Sequence, residues 1–141
     1  MEPISIFGPV AILALWTLSV VALVPVRRFR AAFAKQVGAH DFKYGESSRV
    51  PPEVSIPNRN FMNLLEAPVL FYVACIILYE TRHVDHIFLA MAWSYLALRI
   101  CHSLVHLTYN NVFHRLTFYG LSNLLLVAMW LRLSIQVLAS A

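Results

Sequence analysis

Four apolar stretches, each long enough to cross a bilayer as one helix, occupy most of this sequence of 141 residues. A transmembrane helix needs ~20 mainly apolar residues. The stretches are about residues 4–26, 59–79, 86–107 and 113–138. Hydrophobic residues make up 60% of the chain and charged residues 13%, whereas soluble domains carry about a quarter of charged residues. The sequence therefore predicts an all-α integral membrane protein, a four-helix bundle without a separate soluble domain.

The positions of the basic residues predict the topology. Those that follow the first stretch are Arg27, Arg28, Arg30, Lys35, Lys43 and Arg49. By the positive-inside rule, segment 27–58 is a cytoplasmic connection and the N-terminus lies outside. A cleaved signal peptide fits poorly, because no basic residue precedes the first stretch. The short connections favour a multi-pass protein of a bacterial inner membrane. Because the basic residues lie beside apolar segments, we expect no nucleic-acid partner.

The second stretch carries a polar stripe. Arg59, Asn63 and Glu66 follow each other at i, i+4 and i+7, which brings them within ~60° on one face of a helix. A carboxylate inside the hydrocarbon region is destabilising unless it is paired. The stripe therefore requires partner helices, a polar ligand, or both. Pro68 follows closely, and it predicts a kink just after Glu66.

Two further stretches carry polar side chains near the same predicted membrane level. Arg99, His102 and His106 share one face of the third stretch at i, i+3 and i+7. Arg115 and Tyr119 are four residues apart at the start of the fourth stretch. These side chains and the stripe of the second stretch are expected to meet near the cytoplasmic side.

The charges of this constellation do not balance. Arg27, Arg59, Arg99 and Arg115 stand against one carboxylate, that of Glu66. A membrane protein that keeps such an excess of cations near the bilayer often binds an anion there. The alternative is a set of interhelical ion pairs together with contacts to headgroup phosphates.

A metal site is a third interpretation of the same residues. His102 and His106 have the i, i+4 spacing at which two imidazoles hold one metal ion. No carboxylate or cysteine is added at the matching depth, so we predict no metal and treat both histidines as hydrogen-bonding groups. Cys75 and Cys101 lie inside apolar stretches and are expected to be buried thiols rather than a disulfide.

The pattern resembles that of a bacterial-type member of the MAPEG family, the membrane-associated proteins of eicosanoid and glutathione metabolism. The segments that carry the resemblance are the Arg59-x-x-x-Asn63-x-x-Glu66 motif, Arg99-Ile100-Cys101-His102, Arg115 with Tyr119, and Arg27 to Ala34. They are similar to the family's second, third, fourth and first helices. The resemblance covers nearly the whole chain without large gaps.

The resemblance implies a homotrimer in which glutathione, as cosubstrate, binds between neighbouring protomers near the cytoplasmic side. The glutathione-binding residues it implies are Arg27, Arg59, Asn63, Glu66, His102 and His106. It further implies a transferase or peroxidase that acts on lipophilic electrophiles reaching the site from membrane lipid. In that enzyme Arg115 stabilises the thiolate, with Tyr119 beside it.

Three positions depart from the family pattern. Met62 stands where some members have another arginine, His106 where the closest enzyme pattern has a tyrosine, and Leu116 where some members have a serine. The family also includes proteins without glutathione chemistry, which bind lipid and present it to a partner. The alternative function is therefore a non-catalytic membrane trimer that binds a lipid or a partner protein, with the polar stripe serving trimer packing.

Overall fold

In residues 2–140, which the computed structural model describes, the chain forms helices and no β-strand. The helices are α1 (Phe7–Phe33), α2 (Pro52–Leu65), α3 (Ala67–Glu80), α4 (His86–Leu107) and α5 (Val112–Ser140), with short 3-10 turns at Pro3–Ile6 and Ala39–Phe42. Four segments are long and apolar enough to cross a membrane, namely Pro3–Phe33, Pro52–Glu80, His86–Leu107 and Val112–Ala139. The predicted all-α fold with four membrane-spanning helices is confirmed.

The first two spans have longer helices than the apolar stretches alone indicate. α1 continues through the arginines to Phe33, because arginine and alanine are strong helix formers. α2 begins at Pro52, seven residues before the apolar stretch that starts at about residue 59. Pro52 is the first residue of α2, a position at which the missing N–H of proline costs nothing. Pro57 also lies inside α2. The ordered connection between α1 and α2 is therefore 34–51 rather than 27–58.

α2 and α3 are two parts of one span that break at Glu66. Glu66 has φ −79° and ψ −96°, outside the helical region, and α3 restarts at Ala67. The cause is Pro68, because its ring would clash with the carbonyl group of Leu64 in a continuous helix. The break lies at the predicted kink. The break also separates Glu66 from Arg59 and Asn63. Those two residues lie on α2, whereas Glu66 lies at the joint between α2 and α3.

Connection 34–51 and the α4–α5 turn lie at the same end of the bundle, which we call the basic end. Connection 34–51 is held there by hydrogen bonds and an ion pair. Arg28 Nη2 donates to Glu46 Oε1 over 3.0 Å. Asp41 accepts from the Gly38 backbone N–H and from the Ser47 hydroxyl, and these bonds hold the pKa of Asp41 below its usual value. The connection is thus bonded to itself and to α1.

A buried hydrogen-bonded node joins α1, α2 and α4. The Trp16 indole N–H donates to Ser103 Oγ over 2.8 Å, and Asn60 Nδ2 donates to the same oxygen over 2.6 Å. Asn60 and Ser103 are both fully buried. One hydroxyl therefore accepts from two other helices, and it fixes α2 against α4 close to Asn63 and His102.

Ser103→Ala is expected to destabilise the protein by about 2 kcal/mol, because it leaves the buried amide of Asn60 and the half-buried indole of Trp16 without an acceptor. The measurement is thermal or denaturant unfolding of the purified protein in detergent. Ser19→Ala is the matched control, since Ser19 is exposed and bonds only to a backbone carbonyl of its own helix. Equal losses for the two variants would show that the node contributes no special stability.

Candidate functional site

A cavity of about 250 Å³ opens between α2, α4 and α5 near the basic end. It is lined by Asn63, His102, Val112, Arg115, Leu116 and Tyr119. We call it the α5 cavity, because four of its lining residues come from that helix. Asn63, His102, Arg115 and Tyr119 are predicted site residues, and helical register brings them together from three helices.

Arg115 is the fixed cation of the α5 cavity. Its Nη1 donates to Asn110 Oδ1 over 2.8 Å, and its Nε is buried without a hydrogen-bond partner in the described chain. Asn110 has φ 49°, a left-handed conformation that asparagine tolerates at the end of a helix. Its backbone N–H bonds to the Val105 carbonyl over 2.8 Å. The turn that closes α4 therefore presents an amide oxygen to Arg115.

The two predicted histidines lie next to each other and differ in access to the α5 cavity. His102 and His106 are 3% and 1% exposed, with ring centroids 6.0 Å apart. His102 lines the cavity, 5.8 Å from the ring of Tyr119, whereas His106 lies behind it. In the described residues the Nδ1 atom of each ring is buried without a partner. Of the two histidines, His102 is therefore the one whose side chain forms part of the cavity wall.

Arg99 lies inside the bundle instead of lining the α5 cavity. It is fully buried, and it donates through Nε to the Tyr95 hydroxyl over 3.0 Å and through Nη2 to Asn123 Oδ1 over 2.6 Å. Its guanidinium carbon lies 5.3 Å from the ring centroid of Tyr95 and 5.2 Å from that of Tyr119. Aromatic faces attract cations, so Arg99 supports Tyr119 from behind the cavity.

A second, polar cavity of about 450 Å³ lies between connection 34–51, α2 and the α4–α5 turn. Its polar lining residues are Glu46, Ser47, Ser48, Ser55, Arg59 and Asn110. We call it the serine cavity. Asn110 lines this cavity and also accepts the bond from Arg115, so the two cavities meet at that contact. The sequence alone favoured a plain turn for Asn110, which lies in the α4–α5 connection five residues before Arg115.

Arg27 and Glu66 line neither cavity. Both are exposed on the protomer, and Glu66 lies near the middle of the Pro52–Glu80 span. The ion pairs among the described residues are Arg28–Glu46 and Arg132–Asp85. The predicted pairing of Glu66 with an arginine is therefore not formed within one protomer. Asn63 uses its side-chain N–H on the Arg59 carbonyl, over 3.1 Å.

The cysteines and histidines form no larger cluster in the part of the chain that is described. Within residues 2–140, no group of three or more His, Cys, Asp or Glu side chains could hold a metal ion. Cys75 is buried, but Cys101 is exposed on α4, so the expectation of two buried thiols is wrong for Cys101. Cys101 lies on the outer side of α4, beside the buried His102, because neighbouring residues of a helix point in different directions.

The comparisons with known proteins agree with this architecture. The family model described as MAPEG family matches residues 6–135. The search of curated proteins and the search of solved structures found no significant match. The family match covers more than nine-tenths of the chain and includes all the residues that line the two cavities. The protein is therefore an integral membrane protein that belongs to the MAPEG family.

Proposed function

We propose that this protein is a glutathione-dependent membrane transferase or peroxidase that acts on lipophilic electrophiles. The MAPEG family includes such enzymes and also members without catalysis. The observation that carries the proposal is Arg115, a cation in a cavity wall that has no carboxylate partner within residues 2–140. A fixed guanidinium of this kind calls for an anion.

The chemistry of a thiol fits the α5 cavity. Glutathione supplies a thiol, which attacks an electrophile only as the thiolate. Arg115 would hold that thiolate through the positive charge of its guanidinium. Tyr119 would donate its hydroxyl to the sulfur or to the oxygen of the electrophile. We therefore assign Arg115 and Tyr119 as the catalytic residues.

The serine cavity fits the rest of the peptide. Glutathione has two carboxylates and one ammonium group, and arginine binds carboxylates through paired hydrogen bonds. Arg59 would bind one carboxylate there, among the hydroxyl groups of Ser47, Ser48 and Ser55. Asn63 and His102 would contact the peptide near its thiol, with His106 behind them. The meeting of the two cavities at Asn110 suits one ligand that extends through both.

A homotrimer would complete the site with Arg27 and Glu66. An ionised carboxylate in the middle of a span is destabilised when it faces lipid. Glu66 is exposed on the single protomer, so a second copy of the chain that covers it removes this cost. We infer that Glu66 binds the ammonium group of glutathione, and that Arg27 binds its second carboxylate, across the boundary between protomers.

The lipophilic electrophile would reach the α5 cavity from the bilayer. Val112 and Leu116 line the cavity and are 67% and 64% exposed on the protomer. Val112 and Leu116 make their side of the cavity apolar, whereas Arg115 and His102 make their side polar. A lipid-soluble electrophile can therefore enter along Leu116 while the peptide occupies the water-facing side.

The topology follows from the distribution of charge. Most basic residues outside the bundle core lie at the basic end, whereas Arg82 and Arg132 lie at the other, with Arg132 paired to Asp85. We propose that the basic end faces the cytoplasm of a bacterial cell, across its inner membrane, with the N-terminus outside.

A non-catalytic trimer that binds a lipid or a partner protein is the second candidate. Met62 and Leu116 favour it, because both are exposed apolar residues next to the polar stripe and the α5 cavity. Calorimetric titration of glutathione into the protein in lipid nanodiscs separates the candidates. Saturable binding, accompanied by thiolate absorbance that grows with binding, supports the enzyme. No binding to folded protein at millimolar glutathione supports the non-catalytic trimer.

A further inference from the structure

A third cavity, of about 520 Å³, lies between the last turns of α1 and connection 34–51. Its apolar lining residues are Val24, Pro25, Phe29, Ala32, Val37, Ala39 and Phe42. We call it the α1 cavity. It shares no lining residue with the α5 cavity or the serine cavity, and the proposed glutathione chemistry does not use it. Its one charged wall residue is Arg28.

The α1 cavity lies at the level where the hydrocarbon region meets the headgroups. The apolar part of α1 ends at Val26, the basic residues begin at Arg27, and the cavity spans both. Phe29, Phe33 and Tyr44 lie nearby and are 65%, 85% and 90% exposed. Such aromatic side chains are unfavourable in water and are accommodated at the boundary between lipid and water. The connection therefore lies along the membrane surface, and the cavity is accessible to lipid.

Arg28 gives this apolar cavity one unused hydrogen-bond donor. Its Nη2 bonds to Glu46, and its guanidinium lies 4.6 Å from the ring centroid of Phe42. Its Nε is buried and has no acceptor in residues 2–140. A buried donor of this kind is costly unless a ligand or water accepts from it. The cavity thus combines space for a hydrocarbon chain with a group that binds an oxygen.

The rim of the α1 cavity is positively charged. The exposed basic residues around it that the proposed glutathione site does not use are Arg30, Lys35 and Lys43. Of the acidic residues of the connection, Glu46 pairs with Arg28, and Asp41 bonds to the Gly38 backbone N–H and the Ser47 hydroxyl, so the basic residues outnumber the acidic ones at the rim. Basic residues beside a membrane attract anionic lipids. The unneutralised charge of the rim therefore favours an anionic headgroup over a zwitterionic one.

We propose that the α1 cavity binds one anionic phospholipid per protomer. An acyl chain fills the apolar space between α1 and Phe42, the phosphate pairs with the guanidinium of Arg28, whose side chain is 34% exposed, and the basic rim selects the negative headgroup. Glu46 links this site to the serine cavity, because it pairs with Arg28 and lines the serine cavity. Bound lipid would therefore hold Arg28 in place and, through the ion pair, Glu46 in the wall of the serine cavity.

The test is native mass spectrometry of the delipidated full-length protein, titrated with phosphatidylglycerol or phosphatidylcholine. We expect one phosphatidylglycerol per protomer, bound about tenfold more tightly than phosphatidylcholine. Glycerophosphate, which has the headgroup chemistry without acyl chains, should not compete. Arg28→Gln combined with Glu46→Gln removes the ion pair without changing the net charge, and it should weaken phosphatidylglycerol binding by about tenfold.

Ala32→Phe fills the cavity and is expected to weaken phosphatidylglycerol binding by at least about tenfold. Ala22→Phe is the matched control on an exposed part of α1 outside the cavity, and it should change the affinity by less than about twofold. Ala39→Phe fills the same space from the connection if Ala32→Phe does not fold. Equal affinities for the two lipids, or equal effects of Ala32→Phe and Ala22→Phe, would mean that only unspecific lipid binds and would overturn the proposal.

Discussion

Arg115→Gln is expected to lower kcat/KM for conjugation of glutathione to a lipophilic electrophile by about 100-fold. The glutamine keeps a polar group beside Asn110 but removes the positive charge that Arg115 places in the wall of the α5 cavity. Without that charge the thiol ionises less readily, and the nucleophile becomes scarce at neutral pH. The measurement is the steady-state rate of the protein in nanodiscs as a function of pH.

The pH profile distinguishes a thiolate-stabilising role from a merely structural one. The defect of Arg115→Gln should be greatest at low pH and should shrink as the pH approaches ~8.5, where thiols ionise unaided. Arg82→Gln is the matched control, because Arg82 is exposed at the opposite end of the bundle. A defect of the same size at every pH would show that Arg115 does not act on the ionisation of the thiol.

Glu66→Gln is expected to weaken glutathione binding by about 30-fold, because it removes the anion that faces the ammonium group. Glu80→Gln, at the other end of the same span, is the control. Calorimetry gives both affinities directly. A Glu66→Gln protein that binds glutathione as tightly as the wild type would place this carboxylate outside the site and leave it a packing role alone.

Mixed trimers test whether Glu66 and Arg115 of one site come from different protomers. Each site of a cyclic trimer would take Glu66 from one protomer and Arg115 from its neighbour. When Glu66→Gln and Arg115→Gln chains are co-expressed in equal amounts, about a quarter of the sites would receive both intact side chains. The mixture should therefore recover about a quarter of wild-type activity, although each variant alone is nearly inactive. No recovery in verified mixed trimers would mean that each site is built within one protomer.

Helical periodicity was enough to predict that several polar side chains converge in the α5 cavity. The four spans follow from the long apolar stretches of the sequence. The positions of His102 on α4 and of Arg115 and Tyr119 on α5 bring these three side chains to one level of the bundle. The kink near Glu66 could also be predicted, since it follows from the covalent geometry of Pro68. These are local properties of the chain, so the sequence contains them directly.

The features that could not be predicted depend on contacts between distant segments. Arg99 has the same spacing pattern as His102, yet Tyr95 and Asn123 turn it into the bundle. Asn110 holds Arg115 through a left-handed turn that periodicity does not describe. The order of connection 34–51 likewise rests on Asp41 and on the Arg28–Glu46 pair, partners that only the folded chain brings together.

The most direct test of the central claim, that the unpaired arginines near the basic end bind an anionic peptide, is an experimental structure of the protein in lipid with glutathione. We expect density for the peptide at the boundary of two protomers, with its sulfur against Arg115 and Tyr119, a carboxylate at Arg59 and its ammonium group at Glu66. Density for headgroup phosphates on those arginines, or arginines locked to carboxylates of a neighbouring protomer with no space for a ligand, would contradict the account.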